Sequence, residues 1–600
     1  MKNFKGYAIS VLVLVLVSVA SIAGQSVGAG FLIDSTLRLS SSFGWDTTLL
    51  LPGSRTDADS LSLSQHNDFR AYYEQDVKWG QCPDKKSGAA LDQMGVPGDL
   101  SELLGGKDSA ECAVVLAPLK WSEATGGDIA PDFSVASNPI DNDSQASIKL
   151  ALKRVAPRTE DDNQKPYLFT NPGGPGESGT SFLGHAIDDE MFSERLRNVY
   201  HLASWDPRGV GQSSKIKCYA DDIDKLKDLY KETPGQFPEN IDAVLNDQKS
   251  LADGCIKYSG SLVKYVDTQS TARDLELIGT LLNRPLEGEG ATAKINFFGF
   301  SYGTELGQNF AAMFPERLGK TVLDGVVDLK ISPLDLNISQ TKGFVLAFNN
   351  FLDACIAGKL KSACPFAKMD HDSAIKWATA QVQKLHDTPA ITRSGREFNG
   401  ATFLLAIMSP LYSQNMWDYL ALGISEYINN NSVSVLMSMA DSYNGYSENK
   451  FDGNASEANL VISCLDRGRT FNKEVAVART PEFKAMTPLF GEFVGLAGAL
   501  CDYLPTAPER LELNFDNDKI PPIVLVGNSG DPATPLEQAQ SVRKYLKNSV
   551  LYSVNSEGHT SYSRDETATQ FEDDVFLKDD ELKDRQIDSN KKGGATGEHI

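Results

Sequence analysis

The chain has 600 residues, of which 41% are hydrophobic and 9% aromatic, so it can fill a large core and is not read as disordered throughout. It carries 57 basic against 80 acidic residues, a net charge of −23, which would be repelled by phosphate backbones and excludes a general nucleic-acid binder. There is no collagen repeat and no series of membrane-length apolar runs, so fibrous and polytopic membrane classes are excluded as well.

Lys2 and Lys5 precede an apolar run from Tyr7 to Val19, and Ser21-Ile22-Ala23 offers a small-x-small cleavage site before Gly24. Residues 1–23 therefore read as a signal peptide. The run is short for a bilayer span of about 20 residues, which disfavours an uncleaved anchor. The expectation is a secreted, extracellular protein with no stable membrane insertion. Residues 24–77 are polar and Ser-rich, an N-terminal arm or pro-segment. Behind a signal peptide, eight cysteines indicate disulfides. No CxxC occurs and no cysteine stands near histidine with zinc-finger spacing, so no metal is expected. The expected pairs are sequence neighbours: Cys82–Cys112, Cys218–Cys255, Cys355–Cys364 and Cys464–Cys501. Spacing alone leaves other pairings open. Sequons begin at Asn142, Asn337, Asn430 and Asn454, and in a secreted eukaryotic protein would mark glycosylated surface positions.

Residues 78–328 carry apolar runs of strand length between turn signals and helical stretches: Pro166–Thr170, Val199–Trp205, Lys294–Phe300 and Lys320–Val326. Residues 516–563 add Pro522–Val526 and Val550–Val554. Continuous apolar strands alternating with helices predict an α/β fold, a mostly parallel sheet covered by helices on both faces. Between the two parts, residues 329–515 read as mainly helical, with runs such as Thr341–Leu352 and Ser373–Leu385, and are expected to be an inserted lid. Residues 564–600 are charged, lack a core pattern and read as a flexible tail.

The chemistry follows the same order. Pro166–Gly179, PYLFTNPGGPGESG, is a strand followed by a glycine-rich loop. Acyl transfer needs backbone N–H groups aimed at the developing anion, and Gly174 is the candidate donor here. The same stretch matches G-x-G-x-x-G with Asp206 ending the next strand, which imitates a dinucleotide fingerprint. Two prolines among those glycines and the exported setting argue against a nicotinamide cofactor, and none is expected. Asp206 and Arg208 of the DPRG turn read as structural. Lys294–Glu305, KINFFGFSYGTE, holds G-x-S-x-G between a buried strand and an amphipathic helix. In that context Ser301 sits on a sharp turn with its hydroxyl beyond the sheet edge, and the N–H of Tyr302 becomes the second oxyanion donor. A serine nucleophile needs a base, and the expected order is serine, acid, histidine. Of the histidines after Ser301, His371 and His386 fall in the lid and His599 in the tail. His559, in NSEGHT after the last strand, is the candidate base. Asp531, in the turn of PIVLVGNSGDPATP, is the candidate acid, with Asp324 and Asp328 as rivals.

Taken together, NPGGPGESG, DPRGVGQS, GFSYGT, GNSGDPATP and GHTSY resemble the secreted tripeptidyl and prolyl aminopeptidases of the α/β-hydrolase fold, with a TAP-like C-terminal region. The resemblance runs from about Trp79 to Tyr562 and includes ECAVVLAPLKW. It implies a Ser301–Asp531–His559 triad and removal of short peptides or amino acids from the free N-termini of peptide substrates. Glu177 stands where family members often carry glycine. An exopeptidase must hold a desolvated α-ammonium with carboxylates, and Glu305, Glu177 and Asp466 are the candidates. A carboxylesterase or lipase with the same triad is the alternative function, and a non-catalytic module on a hydrolase scaffold is the third.

Overall fold

The computed structural model describes residues 70–82, 110–121, 147–159, 165–231, 237–287, 293–392, 395–447, 450–451, 453–507 and 510–588. The expected signal peptide, all but the end of the expected N-terminal arm, Asn142 and the end of the chain lie outside these residues.

Ten strands form one sheet. In chain order they are β1 (Gly80–Gln81), β2 (Ala110–Pro118), β3 (Ser147–Val155), β4 (Tyr167–Asn171), β5 (His201–Trp205), β6 (Ile295–Phe300), β7 (Leu318–Asp324), β8 (Ile523–Gly530), β9 (Ser549–Glu557) and β10 (Arg585–Asp588). The spatial order is β1-β2-β3-β5-β4-β6-β7-β8-β9-β10. From β5 to β10 every neighbour is parallel, while β1, β2 and β3 join antiparallel. The helices that matter for the site are α1 (Gly179–Asp188), α2 (Thr268–Glu287), α3 (Tyr302–Met313), α4 (Pro333–Ile356), α5 (Gly400–Leu411), α6 (Ala455–Arg467), α7 (Leu536–Tyr545) and α8 (Glu566–Leu577).

The central strands read as unbroken apolar runs because both faces are covered. On β6, Phe297 packs with Leu306, Phe310 and Leu525, and Phe298 packs on the opposite face with Val524, Tyr562 and Phe576. This is the period of two that a strand imposes on its side chains. β3 is less legible: in SIKLALKRV the charges at Lys149, Lys153 and Arg154 interrupt the apolar pattern, and the sequence reading has no strand there. The helical stretch between β7 and β8 has its own core, built on Phe344, Phe348, Phe351, Phe403 and Trp417. The disulfides are Cys82–Cys112, Cys218–Cys255, Cys355–Cys364 and Cys464–Cys501.

The expected tail from residue 564 is corrected up to residue 588. α8 buries Val575 and Phe576 against the sheet, and β10 adds a parallel edge strand with Ile587 buried. A few apolar positions at helical spacing suffice for this, and the surrounding acidic residues hide them. α8 also buries a carboxylate. One oxygen of Glu572 accepts from Ser561 Oγ at 2.9 Å. The other has no hydrogen-bond partner among the described residues. Burial, followed by the charge of Asp324, pushes the Glu572 pKa well above its ordinary 4.5. A raised folded-state pKa means that folding binds a proton, so stability is greatest below 4.5 and falls as pH rises toward the folded value. Glu572→Gln removes that loss. Its Tm should exceed the wild-type Tm by about 1–3 °C at neutral pH, and the difference should vanish below pH 4.5, as read by calorimetry across pH.

Candidate active site

β6 runs into Ser301, which has φ 55° and forms the N-cap of α3. This left-handed conformation is costly for a residue with a side chain and is the strained turn that the motif requires. Two contacts hold it. The Ser301 N–H donates to the carbonyl of Asp324 at 2.9 Å, and the Ser301 carbonyl accepts from Thr304 N–H at 2.8 Å. Close packing explains the glycines: a Cβ on Gly303 would lie 2.5 Å from the Asn171 carbonyl oxygen.

The glycine-rich loop after β4 lies on this turn. A Cβ on Gly173 would come within 2.8 Å of Ser301 Cβ and 2.9 Å of the Tyr302 nitrogen. The Gly173 N–H is spent on Asn171 Oδ1 at 3.1 Å. No acceptor among the described residues takes the N–H of Gly174 or of Tyr302. The Tyr302 N–H directly follows the serine, at the start of a helix whose dipole favours an anion. The loop is fixed from behind by Asp206, which accepts from Ser178 Oγ at 2.7 Å and Thr180 N–H at 2.9 Å. Arg208 is fully buried, with Asp274 at 2.6 Å. Both residues of the DPRG turn hold structure.

His559 follows β9 and pairs with Asp531, in the turn after β8. Its Nδ1 lies 3.0 and 2.9 Å from the two Asp531 oxygens. Asp531 is completely buried and His559 is 12% exposed. Asp531 also accepts from the N–H groups of Ala533 and Thr534, both at 2.8 Å, and from Thr534 Oγ1 at 2.9 Å. Burial works to raise its pKa. The imidazole's charge and the hydrogen bonds from His559 and Thr534 outweigh burial and hold Asp531 below its ordinary value, so it stays ionised. Thr534, which sequence reasoning missed, lies 3.2 Å from His559 Nδ1 and joins the pair. The only signal for it was its place in the PATP turn.

The histidine loop is also tied to the helical stretch between β7 and β8. The His559 N–H donates to the carbonyl of Tyr412, just after α5, at 2.9 Å. The two rings meet edge to face, with centroids 5.4 Å apart. Below, a Cβ on Gly325, next to the Asp324 that holds Ser301, would lie 3.3 Å from His559 Cε1. The nucleophile turn and the imidazole thus converge on the end of β7. Ser301 Oγ and His559 Nε2 are not hydrogen-bonded in this structure. Such contacts are often long without substrate and tighten in the complex.

Of the three carboxylates expected to face a substrate amine, two have partners within the fold. Glu305 pairs with Arg467 at 2.9 Å and is buried. Asp466 accepts from the N–H and hydroxyl of Thr268, at 2.8 and 2.6 Å, at the start of α2. Burial, then the charge of Glu305, pushes the Asp466 pKa up to about 7. Glu177 is exposed on the oxyanion loop. Asp324 and Asp328, the rival acids, do not hydrogen-bond to His559.

Residues 166–372 match the alpha/beta hydrolase fold family, and residues 487–589 match the TAP-like protein family. Serine protease Hip1 of Mycobacterium tuberculosis is 28% identical over 72% of this chain and 84% of its own length. Carboxylesterase B of the same species is 28% identical over 71% of this chain and 80% of its own length. Tripeptidyl aminopeptidase of Streptomyces lividans is 24% identical over 68% and 74%. A solved alpha/beta hydrolase from a Medee basin deep-sea metagenome library is 15% identical, covering 73% of this chain and 98% of its own, with a TM-score of 0.28. With its mostly parallel sheet and its serine turn the chain has the α/β-hydrolase fold, and its matched segments and relatives make it similar to the TAP-like serine peptidases.

Proposed function

We propose that the protein is a secreted serine exopeptidase that releases amino acids or short peptides from free N-termini through an acyl-enzyme. Ser301 attacks the scissile carbonyl. His559 takes the hydroxyl proton and delivers it to the leaving amine. Asp531 fixes the tautomer and offsets the imidazolium charge. The N–H groups of Gly174 and Tyr302 stabilise the tetrahedral anion. The observation that carries this reading is the buried Asp531 carboxylate 2.9 Å from His559 Nδ1, in a loop that meets the Ser301 turn at the end of β7. Export is supported by the apolar N-terminal segment and by the four disulfides.

Recognition of a free amine falls to Glu177. It is the exposed carboxylate among the three candidates, and it stands on the loop that supplies an oxyanion donor. A carboxylate fixed relative to that loop would set how far from the N-terminus the chain is cut. The name tripeptidyl aminopeptidase, borne by one relative, supports this, while carboxylesterase B supports the ester alternative.

The test compares a tripeptidyl anilide, its N-acetylated form and a simple acyl ester. Acetylation should lower kcat/KM by about a hundredfold or more, the loss expected when one partner of a desolvated charge pair is removed. Glu177→Gln should raise KM for the free-amine substrate about tenfold and leave the acetylated one unchanged. Equal turnover of free and blocked anilides would reject the exopeptidase. Preference for the ester over both would favour the esterase.

A further inference from the structure

The loop that carries His559 is strained on both sides. Gly558 has φ 96°, Thr560 φ 65° and Ser563 φ 62°. A β-branched residue with positive φ is rare and persists only where its surroundings over-determine it. Three side chains from the ends of neighbouring strands hold this loop. Asn528 Nδ2 donates to the carbonyls of Gly558 at 3.1 Å and Thr560 at 2.5 Å. Asp531 Oδ2 accepts the Thr560 N–H at 3.2 Å. Asp324 Oδ2 accepts the N–H groups of Ser561 at 2.8 Å and Tyr562 at 2.9 Å.

Asp324 differs from the other two because it serves both halves of the site. Its carboxylate holds the loop two residues beyond His559. Its carbonyl takes the N–H of Ser301, itself at φ 55°, at 2.9 Å. It is fully buried at the end of β7, between the strand that delivers the serine and the strand that leads to the acid. One strand terminus therefore fixes the two strained turns relative to each other.

We propose that Asp324 is a positioning residue for the reaction: by accepting the Ser561 and Tyr562 amides it holds the His559 loop in register with the Ser301 turn. The proposal rests on the Ser301–His559 reading above. The carboxylate acts as an acceptor and takes no part in proton transfer. One oxygen receives both amides, and an asparagine carbonyl, with two lone pairs, offers the same acceptor. Removing it leaves two buried amides unpaired and frees the loop to relax out of its left-handed turns, carrying the imidazole off line. Displacement of a catalytic group by about 1 Å can cost a hundredfold in rate.

The experiment measures kcat and KM for Asp324→Asn, Asp324→Ala and Asp324→Thr beside Ser301→Ala, with amide hydrogen exchange across residues 556–563. Asp324→Asn should keep kcat within about threefold of wild type, with loop exchange unchanged. Asp324→Ala should lose about a hundredfold in kcat, with KM within about twofold, and exchange faster in that segment. If the alanine variant does not fold, Asp324→Thr carries the test, with a loss of about tenfold or more in kcat. Wild-type kcat in a folded Ala or Thr variant would overturn the proposal. So would a folded Asn variant as slow as Ala, because the charge rather than the acceptor would then matter. An active Ser301→Ala would instead overturn the reading on which the proposal rests.

Discussion

Ser301→Ala should fold as wild type and lose about a millionfold in kcat, down to the residual rate that an oxyanion pocket and binding alone support. The structure gives reasons for both halves of this result. The turn at residue 301 is held by main-chain bonds to Asp324 and Thr304, which alanine keeps. Among the described residues the side-chain oxygen makes no hydrogen bond that its removal would break, and alanine fits the space that serine fills. Stability should therefore change little while the nucleophile is gone. Steady-state rates on a tripeptidyl anilide, with the Tm of each protein, check both halves. A variant that retained even a tenth of the wild-type rate would place the nucleophile elsewhere.

Asp531→Asn should lower kcat about ten-thousandfold with little change in KM. The carboxylate receives Nδ1–H and so leaves Nε2 unprotonated toward the serine. An amide at that place can turn its NH2 toward Nδ1 and impose the wrong tautomer. Asparagine still offers one oxygen to the Ala533 and Thr534 amides, so the turn after β8 should persist. Acid should also expose the role of Asp531 in stability. Its folded-state pKa lies below the ordinary 3.8, so it stabilises the fold above that value, and this contribution is lost as pH falls through the folded pKa. Stopped-flow and steady-state kinetics of the Asn variant, beside thermal melts taken down the acid range, separate the two effects.

What the sequence revealed was local. A strand, a G-x-S-x-G turn and a helix lie within a dozen consecutive residues, so their geometry follows from neighbours in the chain. The same holds for the GDPATP and GHT turns after two apolar strands. What stayed hidden depended on distant partners. Glu305 lies one turn past the serine, but nothing in SCLDRG says that Arg467 will reach it or that Asp466 will cap α2 instead. Asp324 looked like a rival acid because it ends a buried strand. Its bonds to Ser561 and Tyr562 span more than two hundred residues. The contact from His559 N–H to Tyr412 is of the same kind. β3 and the α8–β10 segment were hidden by composition: charges interrupt the apolar pattern of β3, and from α8 to β10 charged residues outnumber the few apolar positions that anchor the segment.

The central claim is that Ser301 is acylated during turnover with His559 as its base. The most direct measurement is reaction with a fluorophosphonate followed by peptide mass mapping, on the wild type and on His559→Ala. A single adduct is expected on the peptide containing Ser301, formed rapidly in the wild type and about a thousandfold or more slower without the imidazole. An adduct on another serine, or labelling of Ser301 at the same rate in both proteins, would contradict it.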